Sequence, residues 1–365
     1  MQNSTIDNSE DENSSRRSRR NVLKLGSAGL LAGLAGCTGG ENTSSSETVT
    51  AAFVYDDVAK GVSFINSHEE ARKEVEQRYD WLETQQSYEV EVEDSEAIFR
   101  RYAQEGVDIV FGNGFGYQDP MATLSQEFTD VRWENCAGFR TNENLGLFYT
   151  NQEEARYVLG KAAAMLMDDG ESLGYIGSFP IALTKRNINA LTLGARSVDP
   201  EATTIPQFVN TWYDPPKEQQ ATESLAESGA GSVFQVTDSA APPQTANELG
   251  IFGTGMWGSM NDEGGENYLS GVVCNWTPHY DRKLNQVRDG EWESEFVYGG
   301  FEEGMIEFDE FGPNVSQEVE TMAMETKEKI ANGEISIWDG SEFEEADPRA
   351  EIYEGTDSYV DGVNV

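Results

Sequence analysis

The sequence predicts an α/β fold in which two lobes, each built on a parallel β-sheet, face each other across a ligand cleft. Short apolar strands alternate with helices in two separate series along the chain. Alternation at this spacing is typical of βαβ units on a parallel sheet. The 365 residues are also enough for two lobes that each bury a hydrophobic core.

Residues 48–148 form the first series and are predicted to be the first lobe. Its first helix is indicated by Ala71, Val75, Tyr79 and Leu82, which fall on one helical face. The predicted strands are, in order, 48–55, 88–92, 107–111 and 131–135. The other predicted helices are 96–104 and 121–128.

Residues 149–268 form the second series and are predicted to be the second lobe. A capping box from Thr150 to Glu153 predicts the start of its first helix, which carries Ala155 and Leu159 on one face. The predicted strands are 173–177, 203–211, 232–236 and 251–254. The intervening helices are predicted at 182–196, 216–227 and 240–249.

Residues 269–365 are predicted to return to the first lobe and to end in a segment that bridges the lobes. The strand Gly271–Asn275 and the helix Trp276–Arg288 are assigned to this return. Phe296–Phe308 is predicted to be hairpin-like and Val315–Ala331 to be helical, and the end of the chain is acidic and irregular.

The first 37 residues have the pattern of an export signal. Arg19 and Arg20 precede a Gly- and Ala-rich apolar run, which is typical of a twin-arginine signal and shorter than the roughly 20 apolar residues of a membrane span. The run ends in Leu-Ala-Gly followed by Cys37, a lipobox-like pattern that predicts lipidation of this cysteine. Residues 38–47 are then a flexible tether, and the protein is expected at the outer face of the cell membrane. The alternative is an uncleaved anchor with an incidental cysteine.

The chain is strongly acidic. It has 25 Lys and Arg against 66 Asp and Glu, a formal net charge of −41. Nucleic acid is therefore excluded as a partner, because phosphate binding needs a basic surface. An apolar content of 38% argues against disorder. Evenly spread acidic residues resemble the surface of a halophilic protein, whose self-repulsion molar salt screens to within about 3 Å.

Three cysteines are present. With Cys37 assigned to lipid, Cys136 and Cys274 remain, and both end apolar strand-like runs. Two buried thiols are the favoured interpretation, with a disulfide as the alternative. Neither residue lies in a metal or redox motif, and no cofactor or metal is expected.

Aromatic and acidic side chains follow one predicted strand after another. Ligands of open parallel sheets bind beyond the carboxyl ends of the strands. Aromatic faces suit a flat heterocycle, and carboxylates accept hydrogen bonds from sugar hydroxyls. No phosphate-binding glycine motif is present. The candidate ligand-binding residues are Asp56, Asp57, Phe64, Phe115, Tyr117, Phe179, Trp212, Asp214, Asp238 and Trp257.

Several of these residues also have purely structural interpretations. Asp214 precedes a proline and Asp238 precedes a helix, so each could be a helix N-cap. Phe115 and Tyr117 could pack beneath their glycine-rich loop. His68 is more typical of a packing residue than of a ligand contact.

Beyond the leader, nearly the whole chain resembles the basic membrane protein (BMP, also Med or PnrA-like) family of ABC transporter substrate-binding lipoproteins. The matching stretches occur in the same order along the chain. They are 68–72, 114–120, 156–160, 189–200, 212–215, 237–239 and 275–278.

The resemblance implies a type I periplasmic-binding-protein fold with two Rossmann-like lobes, three chain crossings and closure on a ligand. Members mostly bind purine nucleosides or nucleobases. By position, Phe64 resembles the stacking aromatic of the first lobe, with Asp56 or Asp57 as its acidic partner. Asp214 and Asp238 resemble polar contacts of the second lobe.

The function expected from these observations is that of a monomeric, non-enzymatic receptor. It would deliver a purine nucleoside or nucleobase to the permease of an ABC importer. One alternative is a membrane-anchored ligand sensor. Another is a nucleoside hydrolase, for which the adjacent Asp56 and Asp57 are the supporting feature.

Overall fold

A computed structural model describes residues 48–59, 61–114, 116–344 and 358–365. The export signal with Cys37, the tether at 38–47 and the candidate Phe115 lie outside the described residues. Within the described part of the chain, the strands form two six-stranded sheets covered by helices. None of the helices described there is long and apolar enough to cross a membrane.

The first sheet is entirely parallel, with the strand order β11-β5-β4-β3-β1-β2. Its strands are β1 (Val49–Tyr55), β2 (Leu82–Ser87), β3 (Ile109–Asn113), β4 (Arg132–Cys136), β5 (Leu145–Thr150) and β11 (Phe296–Gly299). Its helices are α1 (Phe64–Arg78), α2 (Val92–Glu105), α3 (Gln118–Glu127) and α9 (Thr277–Asp289). Phe53, Phe111 and Tyr280 pack at the centre of the core between the sheet and α9.

The second sheet has the order β12-β10-β9-β8-β6-β7, and only β12 runs antiparallel to its neighbour. Its strands are β6 (Ser172–Gly177), β7 (Thr204–Phe208), β8 (Ala230–Gln235), β9 (Phe252–Trp257), β10 (Tyr268–Cys274) and β12 (Ile306–Phe308). Its helices are α4 (Gln152–Leu166), α5 (Ala182–Arg196), α6 (Pro215–Glu227), α7 (Ala241–Leu249), the single turn α8 (Asn261–Gly264) and α10 (Gln317–Ala331).

Over its described residues, the chain passes between the two sheets three times: after β5, after β10 and after β11. These passages make each lobe discontinuous in sequence. Two parallel α/β lobes joined in this way confirm the predicted fold class.

In the first lobe, two predicted elements are misplaced. Helix α1 ends at Arg78, and Leu82 opens β2 instead of continuing the helix. The predicted strand at 88–92 is wrong, because β2 lies at Leu82–Ser87 and Val92 already begins α2. Strand β2 is the edge of the sheet and pairs only with β1, so its polar sequence lacks the apolar pattern of a buried strand.

The start of the second series is also different. The apolar segment Leu145–Thr150 is strand β5, so Thr150 is not a helix cap. Asn151 occupies the N-cap position of α4 without a side-chain capping bond. The side chain of Glu153 instead accepts from Arg186 Nε at 2.8 Å and from the hydroxyl of Tyr298. The predicted capping box is therefore wrong.

The C-terminal part alternates between the lobes more than predicted. The strand predicted at 271–275 does not return to the first lobe, since β10 lies between β9 and β12 in the second sheet. The predicted hairpin at 296–308 is wrong, because β11 and β12 join different sheets. Residues 358–365 pair with the edge strand β7, through Thr204 and Val363.

Cys136 and Cys274 are free, buried thiols, as favoured from the sequence. Cys136 Sγ lies 3.6 Å from His68 Nε2, and Cys274 Sγ lies 3.6 Å from Thr150 Oγ1. Burial raises the pKa of both thiols. Both side chains therefore act as packing residues in this structure.

Candidate ligand-binding site

A cavity of about 390 Å³ is lined by loops and helix ends from both sheets. In the first lobe these follow β1 and β4, lie near the end of β5 and begin α1 and α2, and in the second lobe they begin α5, follow β7 and β8 and end β9. The cavity brings together six of the predicted ligand-binding residues. They are Asp56, Asp57, Phe64, Trp212, Asp238 and Trp257.

Phe64 is placed in the cavity by the start of helix α1. The Ser63 side chain caps this helix by accepting a hydrogen bond from the backbone N–H of Asn66 at 3.2 Å. The Phe64 ring packs roughly perpendicular to the rings of His68 and Trp276, at centroid distances of 4.5 and 5.9 Å. His68 in turn stacks on Trp276 at 4.0 Å. Phe64 is therefore held by a buried aromatic cluster, in which His68 has the packing role favoured from the sequence.

The two lobes touch directly across the cleft. The backbone N–H of Phe64 donates to Asp238 Oδ1 at 3.1 Å, and the rings of Phe64 and Trp257 lie 5.2 Å apart. Behind Trp257, a Cβ at Gly258 would lie 3.2 Å from Val62. These contacts define a closed cleft whose walls come from different lobes.

Asp238 combines a cross-cleft hydrogen bond with an unfavourable electrostatic environment. Loss of solvation raises the pKa of this carboxyl to about 7, and the carboxylates of Asp56, Glu218 and Asp57 act in the same direction. The Phe64 N–H acts in the opposite direction by favouring the ionised form. Asp238 can therefore either accept or donate a hydrogen bond near neutral pH.

Trp257 has two unusual features. Its φ of 75° lies in the left-handed region, which a bulky residue rarely adopts. Trp257 is 3% exposed, and its indole Nε1–H has no hydrogen-bond partner among the described residues. A buried donor without an acceptor is costly, and a ligand that accepted from this N–H would remove that cost.

Trp212 forms part of the second-lobe wall. Its carbonyl accepts from the backbone N–H of Asp238 at 2.9 Å, which links the loops after β7 and β8. The ring of Phe179 meets Trp212 at 5.4 Å. Phe179 thus supports the wall from behind and does not line the cavity.

The cavity is acidic and otherwise largely apolar. Asp56, Asp57, Glu91 and Asp238 line it, whereas none of the described lining residues is Lys, Arg or His. No group of three or more potential metal ligands occurs among the described residues. The walls can therefore stack on a ring and accept hydrogen bonds, and they offer an anion no compensating charge.

Two other predicted residues do not reach the cavity. Tyr117 is fully buried, donates its hydroxyl to the carbonyl of Val90 and packs against Phe99. Asp214 caps α6 by accepting from the backbone N–H of Lys217 at 3.2 Å. For both residues the structure has the packing or capping role that was the alternative at the sequence level.

Several lining residues were not predicted. Glu91 and Val92 line the cavity at the start of α2, and Tyr149 lines it from β5. Glu91 and Val92 were missed because a strand was predicted at 88–92, and Tyr149 was missed because β5 was not predicted. Tyr213, in the same loop as Trp212, also lines the cavity. The prediction of its neighbour Trp212 could have indicated that Tyr213 also lines the cavity.

Comparisons with known proteins agree with this architecture. The family model of the Bmp group, described as ABC transporter substrate-binding protein PnrA-like, matches residues 48–340. A Haloferax volcanii protein named as an ABC transporter glucose-binding protein is 40% identical over 92% of this chain and 85% of its own length. A purine-binding protein of Brucella abortus is 33% identical over 92% of this chain and 98% of its own length.

The fold is also found among solved structures. An ABC transporter solute-binding protein from Conexibacter woesei superimposes with a TM-score of 0.67 at 20% identity. The match covers 79% of this chain and 98% of that protein. The two-lobed architecture is thus that of type I periplasmic binding proteins.

Proposed function

Because the chain belongs to the PnrA-like family of ABC transporter substrate-binding proteins, we propose that it binds a purine nucleobase or nucleoside between its lobes. Proteins of this family bind a solute for an ABC importer outside the cytoplasm, and they are not enzymes. The paired Asp56 and Asp57 therefore serve binding and not hydrolysis.

The observation that carries the purine proposal is the unpartnered N–H of Trp257 in an aromatic wall. Phe64, Trp212, Tyr213 and Trp257 all line the cavity, so a flat ring system has faces to stack on. A purine also presents ring nitrogens that accept a hydrogen bond from the Trp257 N–H. Its exocyclic amine or ribose hydroxyls can donate to the carboxylates.

Charge narrows the ligand further. The lining carboxylates disfavour phosphate or carboxylate groups, which argues against nucleotides. A volume of about 390 Å³ falls in the range of small-molecule sites. Neutral bases and nucleosides satisfy both conditions.

Glucose is the second candidate, and the Haloferax volcanii relative is the observation that favours it. A monosaccharide would donate its hydroxyls to Asp56, Asp57 and Asp238 and pack a face against an aromatic ring. It would leave much of the apolar wall around Ile65, Ile181 and Leu183 without a matching surface. We favour the purine for this reason.

We also propose the finer cellular setting that the sequence indicates. Cys37 carries the lipid that holds the protein at the membrane, the ligand-loaded closed form is recognised by an ABC permease, and the protein is a monomer. A sensor with the same fold would bind the same ligand but signal to another membrane protein. Measuring ligand uptake in cells that lack the protein distinguishes transport from sensing. Uptake should be lost if the protein is a component of the importer and should persist if it is a sensor.

The ligand test is thermal unfolding at molar salt with adenine, guanine, adenosine, guanosine and glucose. A ligand that binds only the folded protein stabilises it by about 2.7 kcal/mol at 100 times its Kd. A rise in Tm with purines and none with glucose supports the proposal. A rise in Tm with glucose alone would mean that the ligand is glucose and not a purine, and the receptor function would still stand.

A further inference from the structure

Arg156 is a fully buried cation beneath the second-lobe side of the cleft. It lies on α4 and donates through Nη2 to the carbonyl of Gln235, with Met256 Sδ at 3.0 Å from the same nitrogen. Its Nε and Nη1 atoms have no hydrogen-bond partner among the residues that the structure describes. In the described part of the chain, no carboxylate forms an ion pair with this guanidinium.

The buried guanidinium cannot become neutral by losing its proton. Burial lowers the pKa of Arg156, but arginine remains charged in proteins. An unpaired charge removed from water is strongly unfavourable. Glu153, one turn earlier on α4, is already engaged, since it accepts from Arg186 Nε.

A second unpartnered donor lies beside Arg156. Tyr175, on β6, is fully buried, and within the described ranges its hydroxyl has no hydrogen-bond partner. The Arg156 Cζ atom lies 5.6 Å from the centre of the Tyr175 ring. This buried region therefore holds a positive charge and several N–H and O–H donors that lack acceptors.

We propose that Arg156 and Tyr175 bind a small anion, chloride, inside the second lobe. A water molecule could accept hydrogen bonds from Nε and Nη1 of the guanidinium, but it would leave the charge uncompensated. The complete burial of both side chains favours a single-atom anion over a solute that carries a carboxylate or phosphate. The Tyr175 hydroxyl would then donate to the same ion.

The position of this site links it to the cleft. Gln235 ends β8 three residues before Asp238, and Met256 directly precedes Trp257 in β9. An anion that neutralises Arg156 would hold the ends of both strands where they deliver the two ligand-facing residues. The inference does not depend on whether the cleft binds a purine or a sugar.

The test is a chloride titration at constant ionic strength, with sodium gluconate exchanged for sodium chloride. For one bound ion, the unfolding equilibrium constant of the wild type should fall about tenfold for each tenfold rise in chloride above the Kd. Arg156→Met should lose this dependence. Arg140→Met, which removes a guanidinium with 65% exposure, should keep it. Equal chloride dependence in the wild type and Arg156→Met would overturn the proposal.

Bromide gives an independent readout on the wild type, in case Arg156→Met does not fold. Crystals grown or soaked in bromide should show an anomalous peak within hydrogen-bond distance of Arg156 Nε or Nη1. A water molecule at that position without anomalous signal would refute the anion site. Full occupancy in the wild type would support it even without the variant.

Discussion

Asp238→Asn offers a direct test of the electrostatics of the closed cleft. Asp238 has a pKa of about 7 instead of its ordinary 3.8, chiefly because it is withdrawn from water. The folded protein therefore binds a proton more tightly than the unfolded chain does. It follows that the free energy of unfolding contributed by this residue falls as pH rises from about 4 to about 7 and is constant outside that window.

The size of the effect follows from the shift. A change of roughly three pKa units corresponds to about 4 kcal/mol. Asparagine resembles the protonated carboxyl and can still accept from the Phe64 N–H. The variant should therefore match the wild type near pH 4 and be more stable by up to about 4 kcal/mol above pH 7.

The assay is urea unfolding followed by tryptophan fluorescence across this pH range, at constant molar salt. The difference between the two proteins isolates Asp238, because other titrating groups contribute equally to both. Asp119→Asn is the control, since its carboxylate is 82% exposed in a surface ion pair with Arg140. Parallel stability curves for the wild type and Asp238→Asn would refute the argument.

Three further predictions concern the ligand and the leader. Phe64→Ala should weaken the binding of a purine ligand by about 1–3 kcal/mol through lost stacking. Calorimetry should show no such loss for Phe139→Ala. Equal affinity of the two variants would mean that Phe64 is not part of the site. Trp257→Phe keeps an aromatic ring but removes the unpartnered N–H, so ligand affinity should fall by about 0.5–1.5 kcal/mol; ligand-free stability should also fall, because the smaller ring leaves a cavity at this buried position. Unchanged calorimetric affinity would mean that this N–H does not contact the ligand. Cys37→Ser should release the protein into the medium, and variant protein that still fractionates with membranes would indicate an uncleaved anchor.

Local sequence patterns predicted the elements whose formation depends mainly on neighbours along the chain. The helix predicted at 182–196 coincides with α5, which is buried over most of its length and packs chiefly against α4. Strand–helix alternation likewise predicted parallel sheets and a cleft at the carboxyl ends of strands. The prediction failed at β2 because an edge strand buries little, and its polar sequence resembles a loop.

The candidate site was predictable where a residue directly follows a strand. Asp56 follows β1, and Trp257 ends β9, so both reach the cleft through the register of the sheet. Tyr117 and Asp214 lie in equally suggestive loops, but the first turns inward onto Phe99 and the second is used as a helix cap. The local sequence does not distinguish a residue that reaches the cleft from one that packs inward or caps a helix. Only the direction of the side chain in the folded structure distinguishes them.

The sequence by itself determined the α/β class, the two-lobed plan and the net negative charge, whereas the export signal at the N-terminus stays a prediction. These depend on periodicity, composition and short motifs. Only the tertiary structure decided that β10 and β12 belong to the second sheet, that Asp238 accepts from Phe64, and that Arg156 is buried without a carboxylate. Phe64 and Asp238 are 174 residues apart in the chain. Such contacts depend on how the two lobes meet, and no local pattern encodes that geometry.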